Sequence, residues 1–92
     1  MKFCDLTNKV AIVTGASRGI GKAISLQLAN YGVKIMLMAR NTIDMETLKE
    51  LIISQNGTAE IQTGDVSNYD DFLKTITNTL DNWGKIDILV NK

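Results

Sequence analysis

The chain has 92 residues, 45% of them hydrophobic and 22% charged, with ten basic residues balancing ten acidic ones. That composition suits one small core, supplies no broad basic field for nucleic acid or an anionic membrane surface, and holds no apolar run near the roughly 20 residues that span a bilayer. There is no histidine, which excludes a His-ligated metal site and a Ser-His-Asp triad from this chain.

Residues 1–8 read as a lead-in with no signal-peptide hydrophobic region. Its cysteine, Cys4, is the single one in the chain, so the expectation is a reducing, cytoplasmic setting. Val10 to Thr14 is a short, β-branched apolar run that fits a strand buried on both faces. A glycine turn follows, Thr14-Gly15-Ala16-Ser17-Arg18-Gly19-Ile20-Gly21. Ile20, Ala23, Ile24, Leu28 and Tyr31 then recur at helical spacing, with Lys22 and Gln27 facing outward. Val33 to Ala39 reads as a second strand. Asn41, with Asp44 three residues on, marks the start of a second helix, whose stripe is Met45, Leu48, Leu51 and Ile52. Ala59 to Thr63 is a third strand. Ser67 and Asp70 form a capping-box-like pair ahead of a third helix, striped by Phe72, Leu73, Ile76, Leu80 and Trp83. Ile86 to Val90 is a fourth strand. Gly32, Gly57 and Gly84 fall just after the three stripes, where a left-handed residue is wanted.

This β-α-β-α-β-α-β alternation implies an α/β fold with a parallel sheet and right-handed crossovers. The Rossmann-type doubly wound strand order is 3-2-1-4. In it the first two helices share one face and the third covers the other alone, which leaves strand side chains there as an apolar patch.

Strand, glycine turn and helix together present free N–H groups and the positive end of a helix dipole, an arrangement that favours an anion. A side chain at such a turn keeps backbone away from its ligand, hence the glycines. The turn is not a Walker A loop. Counting back from Gly21-Lys22, the required glycine falls on Ala16, and the residue after Lys22 is Ala23 rather than a hydroxyl. The spacing is T-G-x-x-x-G-x-G. The alternative is a βα connection with incidental glycines.

Thr14 to Gly21 resembles the cofactor signature of the short-chain dehydrogenase/reductase family. Gly64-Asp65-Val66 resembles the family's aspartate after the third strand, and Ile88-Leu89-Val90-Asn91 the start of its N-N-A-G motif. Lys92 departs from that motif, where a second asparagine is expected. The resemblance covers the whole chain and points towards 3-oxoacyl-acyl-carrier-protein reductases. On it, residues 1–92 are the N-terminal part of a single NAD(P)-binding Rossmann domain. The resemblance gives Gly15 the tight turn, Gly19 and Ile20 the pyrophosphate, and Gly21 the packing of helix on strand. It gives Asp65 (followed by Val66) the adenine amino group and Asn91 the cofactor ribose.

The second strand ends Met38-Ala39-Arg40, with no carboxylate at its tip to hold a ribose 2′-hydroxyl. A guanidinium grips a 2′-phosphate with two hydrogen bonds, whereas a carboxylate repels it. The expectation is therefore NADP(H) over NAD(H), with Arg40 and Arg18 as the phosphate clamp and Ser17 assisting. The alternative is that both arginines are solvated.

The resemblance also implies hydride transfer between nicotinamide and a carbonyl or alcohol, with 3-oxoacyl thioesters as one substrate class and a homo-oligomer as the full-length assembly. The proton-handling tyrosine of the family comes in Tyr-x-x-x-Lys, with a serine upstream. Tyr31 is followed four residues on by Ile35 and Tyr69 by Leu73, so this chain is expected to lack the catalytic residues and to be inactive alone. Asp70 and Asp71 suit a helix N-terminus, and Cys4 has no basic partner to activate it. A second reading, a non-catalytic nucleotide-binding module, stays open.

Overall fold

The structure, a computed structural model, describes residues 6–17 and 19–91. Cys4, Arg18 and Lys92 lie outside the described residues. Seven elements alternate: β1 (Val10–Thr14), α1 (Gly19–Asn30), β2 (Lys34–Ala39), α2 (Thr42–Ser54), β3 (Thr58–Thr63), α3 (Tyr69–Trp83) and β4 (Ile88–Val90). All pairings are parallel and the strand order is β3-β2-β1-β4, as the alternation predicts. Thr14 stands opposite Met38, and Ala39 opposite Thr63, so β1, β2 and β3 end level with one another. The residues that follow them share one rim.

The main core lies between the sheet and helices α1 and α2. Ala11, Val13, Ile35 and Leu37 point into it and meet Met45, Leu48 and Ile52 of α2. Helix α3 packs on the opposite face, where the Asn78 amide donates to Gln62 Oε1 at 3.0 Å. Val10, Ile12, Met36 and Met38 are fully buried. The expected uncovered patch is therefore smaller than predicted and shifts to the β4 edge, where Leu89 is 52% exposed.

Four local readings are corrected. In α1 the buried residues are Gly21 and Ser25, while Ile20 and Tyr31 are exposed. Close approach to the glycine turn selects small residues there, and the Ser25 hydroxyl donates to the Gly21 carbonyl at 2.8 Å. At the end of α2 the left-handed residue is Asn56, with φ 67°, not Gly57. Gly57 serves close packing instead, because a Cβ on it would lie 2.6 Å from Ile52 Cγ2. The cap of α3 is Asn68, whose side chain accepts from the Asp71 N–H at 3.1 Å, and Ser67 turns back to Asp65. In α3 the fully buried residues are Thr75 and Thr79, and Leu73 and Leu80 stay exposed. Each threonine hydroxyl donates to the carbonyl four residues back, so it is buried without losing a partner. Gly32 and Gly84 do take positive φ, at 87° and 76°, as their places predict.

Candidate functional site

At the level ends of β1, β2 and β3 an open cavity of about 290 Å³ is bordered by three segments: the glycine turn, the β2–α2 connection and the loop after β3. From the first come Gly15 and Ser17, from the second Arg40 and Asn41, and from the third Gly64, Asp65 and Val66. Ligand crevices outside the carboxyl ends of parallel strands are the rule for this topology.

Gly15 turns the chain with φ 61°, and the Ala16 N–H then donates to the Met38 carbonyl at 3.3 Å. Gly19 opens α1 with φ 63°, and a Cβ there would meet nothing within 4 Å. The first turn of α1 contains no acidic residue, which leaves its positive end uncompensated. A Cβ on Gly21 would overlap the Gly15 carbonyl oxygen and stand 3.0 Å from its carbon. Gly21 therefore packs the helix against the turn itself.

On the opposite rim Asp65 is held from its own loop. Its Oδ1 accepts from the Ser67 hydroxyl at 2.7 Å and from the Ser67 N–H at 2.9 Å. These bonds, and secondarily the Arg40 charge, hold its carboxyl below the ordinary carboxylate range. Asp65 Oδ2 faces Arg40 Nη1 at 3.9 Å. The Asp65 N–H donates to Asp71 Oδ2 at 3.0 Å, so Asp71 anchors this loop besides sitting at the positive end of α3. The arrangement offers backbone donors at one end, a cation and an anion side by side at the other, and an open slot between.

Of the sequence-predicted residues, Gly15, Ser17, Arg40, Asp65 and Val66 come together around this cavity. Gly19, Ile20 and Gly21 form the start of α1 beside it. Asn91 stands apart, after β4, where its Oδ1 accepts from the Thr14 hydroxyl at 3.0 Å. Sequence reasoning missed Met38, Ala39, Asn41 and Gly64 as lining residues. Gly64 carried a usable signal, a glycine between a strand and an acid. A Cβ on it would sit 3.0 Å from Asp71 Cβ, inside the contact that closes the loop. Among the described residues no cluster could hold a metal ion, and no helix is long and apolar enough to cross a membrane.

Comparison with known proteins agrees with this geometry. A family model for short chain dehydrogenases matches residues 9–92. The chain belongs to that family. It is 42% identical over 87 residues to a 3-oxoacyl-[acyl-carrier-protein] reductase of Synechocystis sp., covering 94% of this chain and 35% of that protein. A metagenomic short-chain oxidoreductase solved in complex with NADP superposes with a TM-score of 0.87 at 36% identity, over 94% of this chain and 39% of its own. A hydroxysteroid dehydrogenase of Escherichia coli superposes with a TM-score of 0.91 at 30% identity, over 94% of this chain and 37% of its own. The chain thus spans little more than a third of the length of these short chain dehydrogenases.

Proposed function

We propose that this chain is the NADP(H)-binding N-terminal part of a single Rossmann domain in a short-chain oxidoreductase. When bound, the nicotinamide cofactor supplies the hydride donor or acceptor for a carbonyl or alcohol substrate. The residues present fit such a group. The start of α1 at Gly19, with no acid in its first turn, suits the pyrophosphate. Ser17 and Arg40 border the end where a 2′-phosphate is to be gripped, with Arg18 assigned to the same phosphate, and ionised Asp65 presents an acceptor for an adenine amino group. Val66 lines the same wall, and Asn91 is assigned to the ribose side.

The observation that carries this reading is the placement of Arg40. Its guanidinium stands on the cavity rim with no carboxylate on the β2 tip itself, and the nearby acid, Asp65, comes from the loop after β3 and faces it at 3.9 Å. The NADP complex of the metagenomic relative supports the same cofactor. The substrate class is 3-oxoacyl thioesters, supported by the Synechocystis relative. The tyrosine, lysine and serine of the reaction are assigned to the remainder of the protein, because neither Tyr31 nor Tyr69 has a lysine four residues on.

The test is Arg40→Ala in the full-length protein, titrated with NADPH and NADH. Loss of charge-assisted hydrogen bonds to a phosphate, about 1.5–3 kcal/mol, weakens NADPH binding roughly 10- to 150-fold and leaves NADH binding unchanged. Equal affinities for NADPH before and after the substitution would remove the phosphate role.

A further inference from the structure

Arg40 is 83% exposed in its side chain and touches Asp65 only at 3.9 Å. At that exposure the position of the guanidinium depends chiefly on the backbone that carries it. That backbone is short. Ala39 ends β2 and Thr42 begins α2, which leaves only Arg40 and Asn41 between two fixed elements.

Residues 39–42 run alongside residues 63–65, joined at both ends. On the strand side the Gly64 N–H donates to the Ala39 carbonyl at 3.0 Å. On the helix side the hydroxyls of Thr42 and Thr63 meet at 2.8 Å. Asn41 is itself fixed as the cap of α2, accepting from the Asp44 N–H at 3.0 Å. The first contact locates the end of β2. The cap orients Asn41 relative to α2 but does not tie that helix to the sheet. Core packing of the fully buried Met45, Leu48 and Ile52 seats α2 on the sheet, and the solvent-exposed threonine pair adds a link from β3 to the helix's first residue, ahead of that packing. The Lys49–Glu60 ion pair joins the same two elements at 3.1 Å, but seven residues farther along, about two turns from the rim.

We propose that the Thr42–Thr63 hydroxyl pair is a positioning element for Arg40. It fixes the α2 start against the end of β3 and so holds the guanidinium where a ribose 2′-phosphate is gripped. The inference rests on the adenosine-site reading of this cavity. A two-pronged grip depends on geometry more than a point charge does, so a displaced backbone at residue 40 costs affinity for the phosphorylated cofactor alone. An NADH-type cofactor, without that phosphate, does not sense the pair.

The experiment measures NADPH and NADH dissociation constants for the full-length protein carrying Thr63→Val, Thr42→Val, the double variant and Thr63→Ser, with Arg40→Ala as reference. Each valine variant weakens NADPH about fivefold, the equivalent of one neutral hydrogen bond, and moves NADH less than about twofold. Thr63→Ser keeps the hydroxyl and restores the wild-type ratio. The double variant is no worse than either single one, because both remove the same bond. In an Arg40→Ala background Thr63→Val no longer changes the NADPH/NADH ratio. If Arg40→Ala collapses the ratio while both valine variants leave it intact, the positioning role is overturned and the adenosine-site reading stands. If Thr63→Val still shifts the ratio without Arg40, the pair acts by another route and the proposal fails. If Arg40→Ala itself leaves the ratio unchanged, the 2′-phosphate role of Arg40 falls and this inference with it.

Discussion

Replacing Gly21 by alanine separates the stability of this fold from its ability to bind. A methyl there overlaps the Gly15 carbonyl oxygen and stands 3.0 Å from Gly15 C and 3.2 Å from Ala16 Cα. Carbon atoms rest about 3.5–4.0 Å apart, so the turn or the helix must give by roughly half an ångström or more. The turn has little room to do so, because Ala16 is fully buried and its N–H is bonded to Met38. Overpacking of this kind costs about 1–3 kcal/mol, and the better helix propensity of alanine offsets about 1 kcal/mol of it. The net loss is about 0–2 kcal/mol, a Tm lower by no more than about 8 °C in a protein of this family's length. On the proposed function binding suffers more, since the displaced segment is the one assigned to the pyrophosphate. Misplacement on the ångström scale costs up to about 100-fold. The pyrophosphate is common to both cofactors, so NADPH and NADH weaken together. This distinguishes Gly21→Ala from Arg40→Ala, for which the proposed function expects weaker NADPH binding alone. Calorimetric titration with each cofactor, beside thermal unfolding followed by circular dichroism, measures both effects. Unchanged affinity for both cofactors in a folded Gly21→Ala protein refutes the contact between helix and turn as a determinant of the site.

Other expectations follow from contacts in the rest of the fold. Gly57→Ala drives a methyl against Ile52, which is fully buried, and lowers stability by about 1–3 kcal/mol without changing cofactor affinity. Gly84→Ala meets no neighbour and pays only the left-handed backbone term, about 1–2 kcal/mol; urea titrations of the two variants compare these mechanisms directly. Asn68→Ala removes the cap of α3 at a cost of about 1 kcal/mol, and Ser67→Ala leaves that cap in place, a contrast that chemical denaturation resolves. The Asp87 carboxyl is held below its ordinary value of 3.8, first by the Val10 N–H at 2.9 Å and then by Lys85 at 3.3 Å. Its depressed folded pKa means that its contribution is complete above the unfolded value and is lost as pH falls through the folded one. Asp87→Asn therefore flattens the fall of Tm with pH below about 4, and a slope equal to wild type contradicts that account.

The architecture was readable because each element carries its own punctuation. Asn41 and Gly84 cap as their positions predict, and the apolar runs at 10–14 and 34–39 are buried throughout apart from Lys34. The two errors in the helix faces have one physical origin. Periodicity counts large apolar residues, whereas the closest contacts here select small ones. Gly21 and Ser25 are the inner residues of α1, and Thr75 and Thr79 those of α3, although neither pair belongs to the apolar stripe. Gly57 was misread for a related reason. A glycine after a helix has two uses, positive φ or close approach, and spacing alone does not distinguish them. Asn56 takes the first and Gly57 the second.

The cleft divides along the same line. Its glycine wall was visible in sequence because a local turn demands particular residues in fixed order. Its other wall is assembled from segments about 25 residues apart, and only the strand register makes them neighbours. Parallel pairing places Ala39 beside Thr63, and from that single alignment follow the Gly64–Ala39 hydrogen bond, the Thr42–Thr63 contact and the approach of Arg40 to Asp65. Shifting β3 by one residue would reverse the faces of its side chains and part all three contacts. Charge at residue 40 is thus written in the sequence, while its orientation is a property of the sheet. Substituting Arg40 tests the former and substituting Thr63 the latter, and the two outcomes need not agree.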